Sequence, residues 1–217
     1  MSISNNIIKF KKKISSKVKL IAVSKTKSII EIKEAYDSNH KLFGENKVQE
    51  MTEKWKVLPK DIEWHMIGHL QKNKVKYIAP YVSLIHSVDS IRLLNEINKQ
   101  AKKNNRIINC LIQVNISEEQ SKFGLQINNL PDFFNQIIEN SYDSIEIIGL
   151  MGMASFTENE EKIFNEFTSL KEVFINLKGK FPRFSELSIG MSSDYKIALK
   201  QGSTMIRIGS KIFGYRN

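Results

Sequence analysis

The chain has one cysteine among 217 residues, Cys110, so no disulfide and no thiolate metal site can form within it. Ile107, Ile108, Leu111 and Ile112 flank Cys110, which reads as a small core residue. A cytoplasmic location is the expectation that follows. There are only four prolines and no Pro/Gly-rich joint, which predicts a single domain over residues 1–217. No stretch approaches the ~20 apolar residues that cross a bilayer. The Met1–Lys13 segment also lacks the continuous apolar run of a signal peptide, so no membrane association is expected. Histidines are few: His40, His65, His69 and His86. His65 and His69 have the spacing of a helical zinc pair, but Gly68 and the strand-like Trp64–Ile67 exclude a helix there, so no metal is expected.

Acidic residues are in deficit, with 33 Lys and Arg against 23 Asp and Glu and a net charge of +10. Such an excess can mark a nucleic-acid face. Here it is spread along the chain. The only tight runs are Lys11-Lys12-Lys13 and Lys102-Lys103, and neither carries interleaved aromatics. Nucleic acid is therefore not an expected partner. With 41% hydrophobic and 26% charged residues, the composition is that of an ordinary globular core.

What the chain does carry is Leu20-Ile21-Ala22-Val23-Ser24-Lys25, an apolar run that ends in a hydroxyl and a lysine. The run reads as a buried strand, which places Lys25 where the strand leaves the core. Desolvation at such a point favours the neutral, nucleophilic amine that a Schiff-base lysine needs. The alternative is a lysine that snorkels into water. Downstream, strands are expected over Leu42–Gly44, Ile62–Ile67, Ser83–Val88, Ile107–Ile116, Ile145–Leu150, Glu186–Ile189 and Ser203–Ile208. Helices separate them. Capping boxes are expected at Ser28–Glu31 and Thr157–Glu160, and caps at Glu160 and Asp194. Ile163, Phe167, Leu170, Phe174 and Leu177 mark one face of the longest helix.

Eight alternations of strand and helix predict an α/β fold, a closed (β/α)8 barrel near the small end of its size range. An open doubly wound sheet would need a glycine-rich loop after its first strand, and Ser24-Lys25-Thr26-Lys27 has none. In a barrel the functional groups stand at the carboxyl ends of the strands. That rim collects Lys25, Asn46, Gly68, Asp89, Ser117, Met151, residues 190–194 and residues 207–210. The last two strands of this fold often cradle a phosphate, and here their loops hold Ser192, Ser193, Gly209 and Ser210. A lysine, a phosphate cradle and Arg207 between them make a credible pyridoxal phosphate site.

The motifs AVSKT at Ala22–Thr26, FGENKVQE at Phe43–Glu50 and WHMIGHLQKNK at Trp64–Lys74 carry a family resemblance. So do QVNIS at Gln113–Ser117, KFG at Lys122–Gly124, GLMGM at Gly149–Met153 and the long run Leu187–Gly214. Through them the chain resembles the pyridoxal phosphate homeostasis proteins, single-domain relatives of the alanine racemase N-terminal barrel (fold type III among pyridoxal phosphate proteins). The resemblance implies that Lys25 holds the cofactor as a Schiff base. It implies that Ser192, Gly209 and Ser210 bind its phosphate, that Arg207 meets its pyridine nitrogen, and that Asn46 sits beside its ring. No catalytic residue is assigned, and no role is attached to His69. The Lys122-Phe123-Gly124 loop reads equally as a partner contact or a surface turn.

The implied function is a carrier of pyridoxal 5'-phosphate in vitamin B6 homeostasis and amino-acid balance, without established turnover. Pyridoxal-phosphate-dependent apoenzymes are the candidate recipients, and a monomer is expected. The alternative is a slow amino-acid racemase. Two observations weigh against it. A guanidinium only donates, so Arg207 leaves a pyridine nitrogen unprotonated and the ring a weak electron sink. Only Lys211 to Asn217 follow the last strand, so the second domain that gives racemases their tyrosine is expected to be absent, and Tyr215 is the sole nearby substitute.

Overall fold

A computed structural model of the chain describes residues 2–117, 119, 123–181 and 183–214. Lys122 of the KFG loop and Tyr215 lie outside them. The chain opens with α1 (Ile3–Lys11), β1 (Lys19–Val23), α2 (Ile29–Asp37), β2 (Leu42–Glu45), α3 (Val48–Val57) and β3 (Glu63–Met66). Next come α4 (Val75–Ile78), preceded by a 3-10 turn at Lys72–Lys74, then β4 (Leu84–Val88), α5 (Ile91–Lys103) and β5 (Ile108–Asn115). After β6 (Leu125–Gln126) follow α6 (Leu130–Asn140), β7 (Ile145–Gly152) and α7 (Glu160–Lys178). The chain continues through β8 (Glu186–Ser188), α8 (Tyr195–Lys200), β9 (Met205–Ile208) and α9 (Ser210–Phe213).

Eight strands form a closed parallel barrel in the order β1-β2-β3-β4-β5-β7-β8-β9, with β9 returning to β1. This is the fold expected from the sequence. The two-residue β6, which the sequence pattern does not signal, adds to the end of β5 through Val114 and Leu125. The seam between β1 and β9 runs from Lys19 opposite Met205 to Ala22 opposite Ile208.

Strand alternation splits the apolar residues into two sets. Outward side chains such as Leu20, Ala22, Phe43, Trp64, Ile112, Leu150 and Ile206 pack with the helices in one large core. Leu84, Leu111, Met151 and Met205 form a second, small cluster that fills part of the lumen. Met151, expected at the mouth, is buried in that cluster.

Local chemistry sets the helix ends. Ser28 and Glu31 form the expected reciprocal capping box on α2. The box expected at Thr157–Glu160 does not form. Asn159 caps α7 instead, its side chain accepting from the Lys162 N–H, while Thr157 Oγ1 accepts from the Asn159 N–H. Thr157 is thus spent on the turn before the helix, and Glu160 is the first helical residue rather than a cap. Asp194 occupies the cap position of α8 without capping it: its Oδ1 accepts from the Met191 N–H at 2.5 Å. The side chain faces back into the loop after β8.

Gly149 sits where the pairing of β5 with β7 shifts register. A Cβ there would lie 1.7 Å from the Glu186 carbonyl oxygen on the neighbouring strand β8. Gly179, at the end of α7, has no atom within 4 Å of the same position. Gly149→Ala is expected to cost about 3 kcal/mol in urea unfolding, through backbone overpacking. Gly179→Ala should stay within ~0.5 kcal/mol. Equal effects would refute the close approach of β7 and β8.

Candidate functional site

The six residues singled out from the sequence lie on or just after four consecutive barrel strands, β2-β1-β9-β8. Lys25 is half-buried in the turn after β1, and Asn46 follows β2. Ser192 lies in the loop after β8, Arg207 is on β9, and Gly209 and Ser210 open α9. Distance in sequence is removed by the seam. Gly209 lies so close to the end of β1 that a Cβ on it would stand 3.5 Å from the Val23 carbonyl oxygen.

The turn that carries Lys25 is clamped from both sides. The Ser24 N–H donates to Gly44 O at 3.0 Å, and Ser24 Oγ donates to Glu45 Oε1 at 2.6 Å. Lys54 Nζ, on α3, donates to Ser24 O, Glu45 Oε1 and Glu50 Oε1 at 2.7, 2.7 and 2.6 Å. Glu50 Oε1 also accepts from the Thr26 N–H at 2.6 Å. Lys54 is 5% exposed and Glu45 is fully buried. Burial pushes the Glu45 carboxyl up from its ordinary range, against the pull of Lys54 and Ser24. Thr26 adopts φ +64°, a left-handed backbone that a β-branched residue takes only when its surroundings impose it. These bonds fix the backbone on either side of Lys25.

Arg207 is 4% exposed. Its Nη1 donates to Ser188 O at 2.8 Å and Ser188 Oγ at 2.7 Å, and its Nη2 donates to Gly152 O at 3.0 Å. All three acceptors are neutral. Burial lowers its pKa to about 10, with Asp194 opposing, so it stays a cation at neutral pH. Among the described residues it makes no ion pair and its Nε has no partner. A desolvated cation of this kind suits an acceptor-bearing anionic ligand.

The remaining groups also fit a phosphorylated aromatic aldehyde. The Gly209 N–H donates to Ser192 Oγ at 3.3 Å, which ties the two loops of the cradle together. Packing within the chain does not demand a glycine at 209, since a Cβ there would meet only ordinary contacts. A missing side chain there leaves room for an anion to approach the backbone. The first N–H groups of the α9 turn have no acceptor within the turn. Asn46 Oδ1 is buried without a hydrogen-bond partner. A Cβ on Gly68 would stand 2.3 Å from the Asn46 carbonyl oxygen, so Gly68 seats the Asn46 backbone.

Other rim residues have different roles. Ser117 donates through its N–H and Oγ to Asn115 Oδ1 at 3.1 and 3.0 Å. His69 stacks on Phe123 with ring centroids 4.1 Å apart, and its Nδ1 lies 3.6 Å from Asp89 Oδ2. A recess of about 630 Å³ lined by Asn115, Ser117, Gln126, Asn165 and Ser169 lies beside this rim and includes neither Lys25 nor Arg207.

Sequence reasoning missed Glu45, Glu50 and Lys54. The Glu50–Lys54 spacing of i,i+4 was readable, but it usually marks a solvated helix face. It also missed His86 and Ser188 as partners of His65 and Arg207.

Two outcomes follow. Lys54→Met leaves Glu45 buried without its cation and should cost about 3–5 kcal/mol in denaturant unfolding. Glu45→Gln combined with it should recover part of that loss. Acid is the second lever. Burial pushes His40 down to about 4 and His65 to about 3, and holds His86 well below its ordinary value. The unfolded chain protonates these groups near pH 6.5. It therefore binds more protons than the folded chain below that pH, and stability falls as pH falls. Melting temperature should drop steadily from pH 7 to pH 4.5, with a shallower slope in His40→Gln; a flat profile would contradict the burial of these rings.

Comparison with known proteins bears on this geometry. The family described as alanine racemase, N-terminal domain, matches residues 1–217. The pyridoxal phosphate homeostasis protein of Aquifex aeolicus is 40% identical, over 91% of this chain and 87% of its own. That of Escherichia coli K12 is 34% identical, over 99% of this chain and 97% of its own. PipY of Synechococcus elongatus, solved with PLP bound, superposes with a TM-score of 0.89 at 31% identity, over 98% of this chain and all of PipY. Alanine racemase of Clostridium difficile 630 superposes with a TM-score of 0.80 at 16% identity, over 99% of this chain and 56% of the racemase, a likeness of fold alone. Barrel, motifs and relatives agree: the chain belongs to the pyridoxal phosphate homeostasis proteins, built on the alanine racemase N-terminal domain.

Proposed function

We propose that this chain holds pyridoxal 5'-phosphate at the barrel mouth, as a Schiff base on Lys25, and serves vitamin B6 homeostasis and amino-acid balance rather than turnover. The β1–β9 seam carries this reading, because Lys25, Arg207, Gly209 and Ser210 leave two hydrogen-bonded strands side by side. The PLP-bound PipY relative supports the choice of ligand.

Lys25 is the nucleophile. Its Nζ would hold the group at the aldehyde carbon, the electrophile that the cofactor would supply for a Schiff base. The clamp on Ser24 and Thr26 fixes the backbone from which this side chain extends. Ser192, Gly209 and Ser210 take the phosphate through hydroxyl and backbone donors. Asn46 borders the ring. Arg207 donates to the pyridine nitrogen and keeps it unprotonated, since a guanidinium has no proton to give up near neutral pH. Once bound, the cofactor supplies an electron-withdrawing ring, and an unprotonated nitrogen keeps that withdrawal weak. The site therefore favours holding the cofactor over stabilising a carbanion.

The test is the visible absorption spectrum of the purified chain with added pyridoxal phosphate, beside Lys25→Ala. A yellow band trapped by borohydride on Lys25 and lost in the variant is expected, with no measurable racemisation of amino acids. A chain that stays colourless would overturn the reading, and turnover dependent on Lys25 would replace the carrier by a slow racemase. Gly209→Val should weaken uptake about tenfold by crowding the cradle.

A further inference from the structure

Behind Arg207 the barrel lumen holds a polar chain whose other members the proposed function leaves unused. His65 Nδ1 lies 3.0 Å from His86 Nε2, and His86 Nδ1 lies 3.0 Å from Ser188 Oγ. Ser188 Oγ accepts from Arg207 Nη1 at 2.7 Å. All four side chains are buried. Strands β4 and β8 are not neighbours in the barrel, so the bond from His86 to Ser188 crosses the lumen. The chain thus joins β3, β4, β8 and β9, and Arg207 extends it to Gly152 on β7.

Its protons have one consistent arrangement. The Arg207 guanidinium can only donate, so Ser188 Oγ accepts from it. The Ser188 hydroxyl hydrogen is buried and needs an acceptor, and the one facing it is His86 Nδ1. His86 then carries its hydrogen on Nε2 and donates to His65 Nδ1. His65 in turn carries its own hydrogen on Nε2. A further proton on His65 Nδ1 would set two donors against each other, and one on His86 Nδ1 would turn the Ser188 hydroxyl hydrogen away from its acceptor. The ring acceptors are therefore what keep a Ser188 lone pair directed at Arg207.

We propose that Ser188, His86 and His65 are positioning residues that lock the Arg207 guanidinium through this directed chain, leaving its Nε for an acceptor atom of the ligand. The proposal rests on the reading that the ligand is pyridoxal phosphate and the acceptor its pyridine nitrogen. A long arginine side chain loses substantial rotamer freedom when fixed, and three bonds to neutral acceptors meet that cost before the ligand arrives.

The experiment compares His86→Leu, Ser188→Ala and their double variant with the native chain, using pyridoxal phosphate as the probe. Each single variant should keep the borohydride-trapped adduct on Lys25, shift the absorption maximum, and raise Kd about tenfold. The double variant should be no worse than either single one, because all three break the same chain. His86→Asn, whose Oδ1 can replace Nδ1 as the acceptor, should restore binding. Native-like Kd and spectrum in both single variants would overturn the proposal, as would losses that multiply to a hundredfold in the double variant.

Nitrogen-15 NMR of the imidazoles in the chain without pyridoxal phosphate gives a readout independent of the ligand and of variant folding. Both rings should be neutral Nε2–H tautomers, and Arg207→Lys should move the His86 signals. A protonated ring or an Nδ1–H tautomer at His86 would overturn the directed chain whatever the ligand. If the native chain takes up no pyridoxal phosphate but shows these tautomers and this coupling, the ligand reading falls and the locking of Arg207 stands.

Discussion

Pairing β1 with β9 converts an open parallel sheet into a closed one, and the candidate site exists only because of it. Parallel strands need a crossover between them, so neighbours in the sheet are remote in the chain. The seam is the extreme case, since it brings Val23, at the end of the strand that leads to Lys25, beside Gly209 across almost the whole sequence. Closure also creates the lumen, and with it the space that Arg207, His86, His65 and Ser188 share. An open sheet with the same strands would place Lys25 at one edge and Arg207 at the other.

The barrel buries charge in two places, and neither is the cheapest way to fill a core. Lys54 with Glu45 and Glu50 sits behind the first strand, and Arg207 sits inside. Buried ion pairs contribute little net stability over well-packed apolar residues, because desolvation offsets their attraction. Their effect here is geometric. The outer group fixes the turn around Lys25 from the helix side, and the inner group fixes the arginine from the lumen side. The turn that bears Lys25 and the Arg207 guanidinium are thus each held by a separate set of polar contacts.

Much of the fold was legible because its signals are local. Apolar runs such as Leu20–Val23 and Ile108–Ile112, and the face from Ile163 to Phe174, reflect periodicity within one element. The capping box at Ser28 needs only four residues to form. Where two local solutions competed, sequence reading failed: Asn159 took the cap from Thr157, and Asp194 turned to the Met191 N–H instead of its own helix. The short β6 was invisible because a two-residue strand has no period to read.

The sequence by itself determined the order of the eight barrel strands, their closure, and which residues stand on or near the strand ends, including Lys25, Asn46, Ser192, Arg207, Gly209 and Ser210. Side-chain alternation and strand-end position are properties of the chain taken a few residues at a time. Only the tertiary structure decided that Lys54 and Glu45 are buried, that His86 reaches Ser188 across the lumen, and that Arg207 is held by neutral acceptors. These facts depend on the distance and dielectric between elements far apart in the chain, and neither quantity exists until the barrel closes.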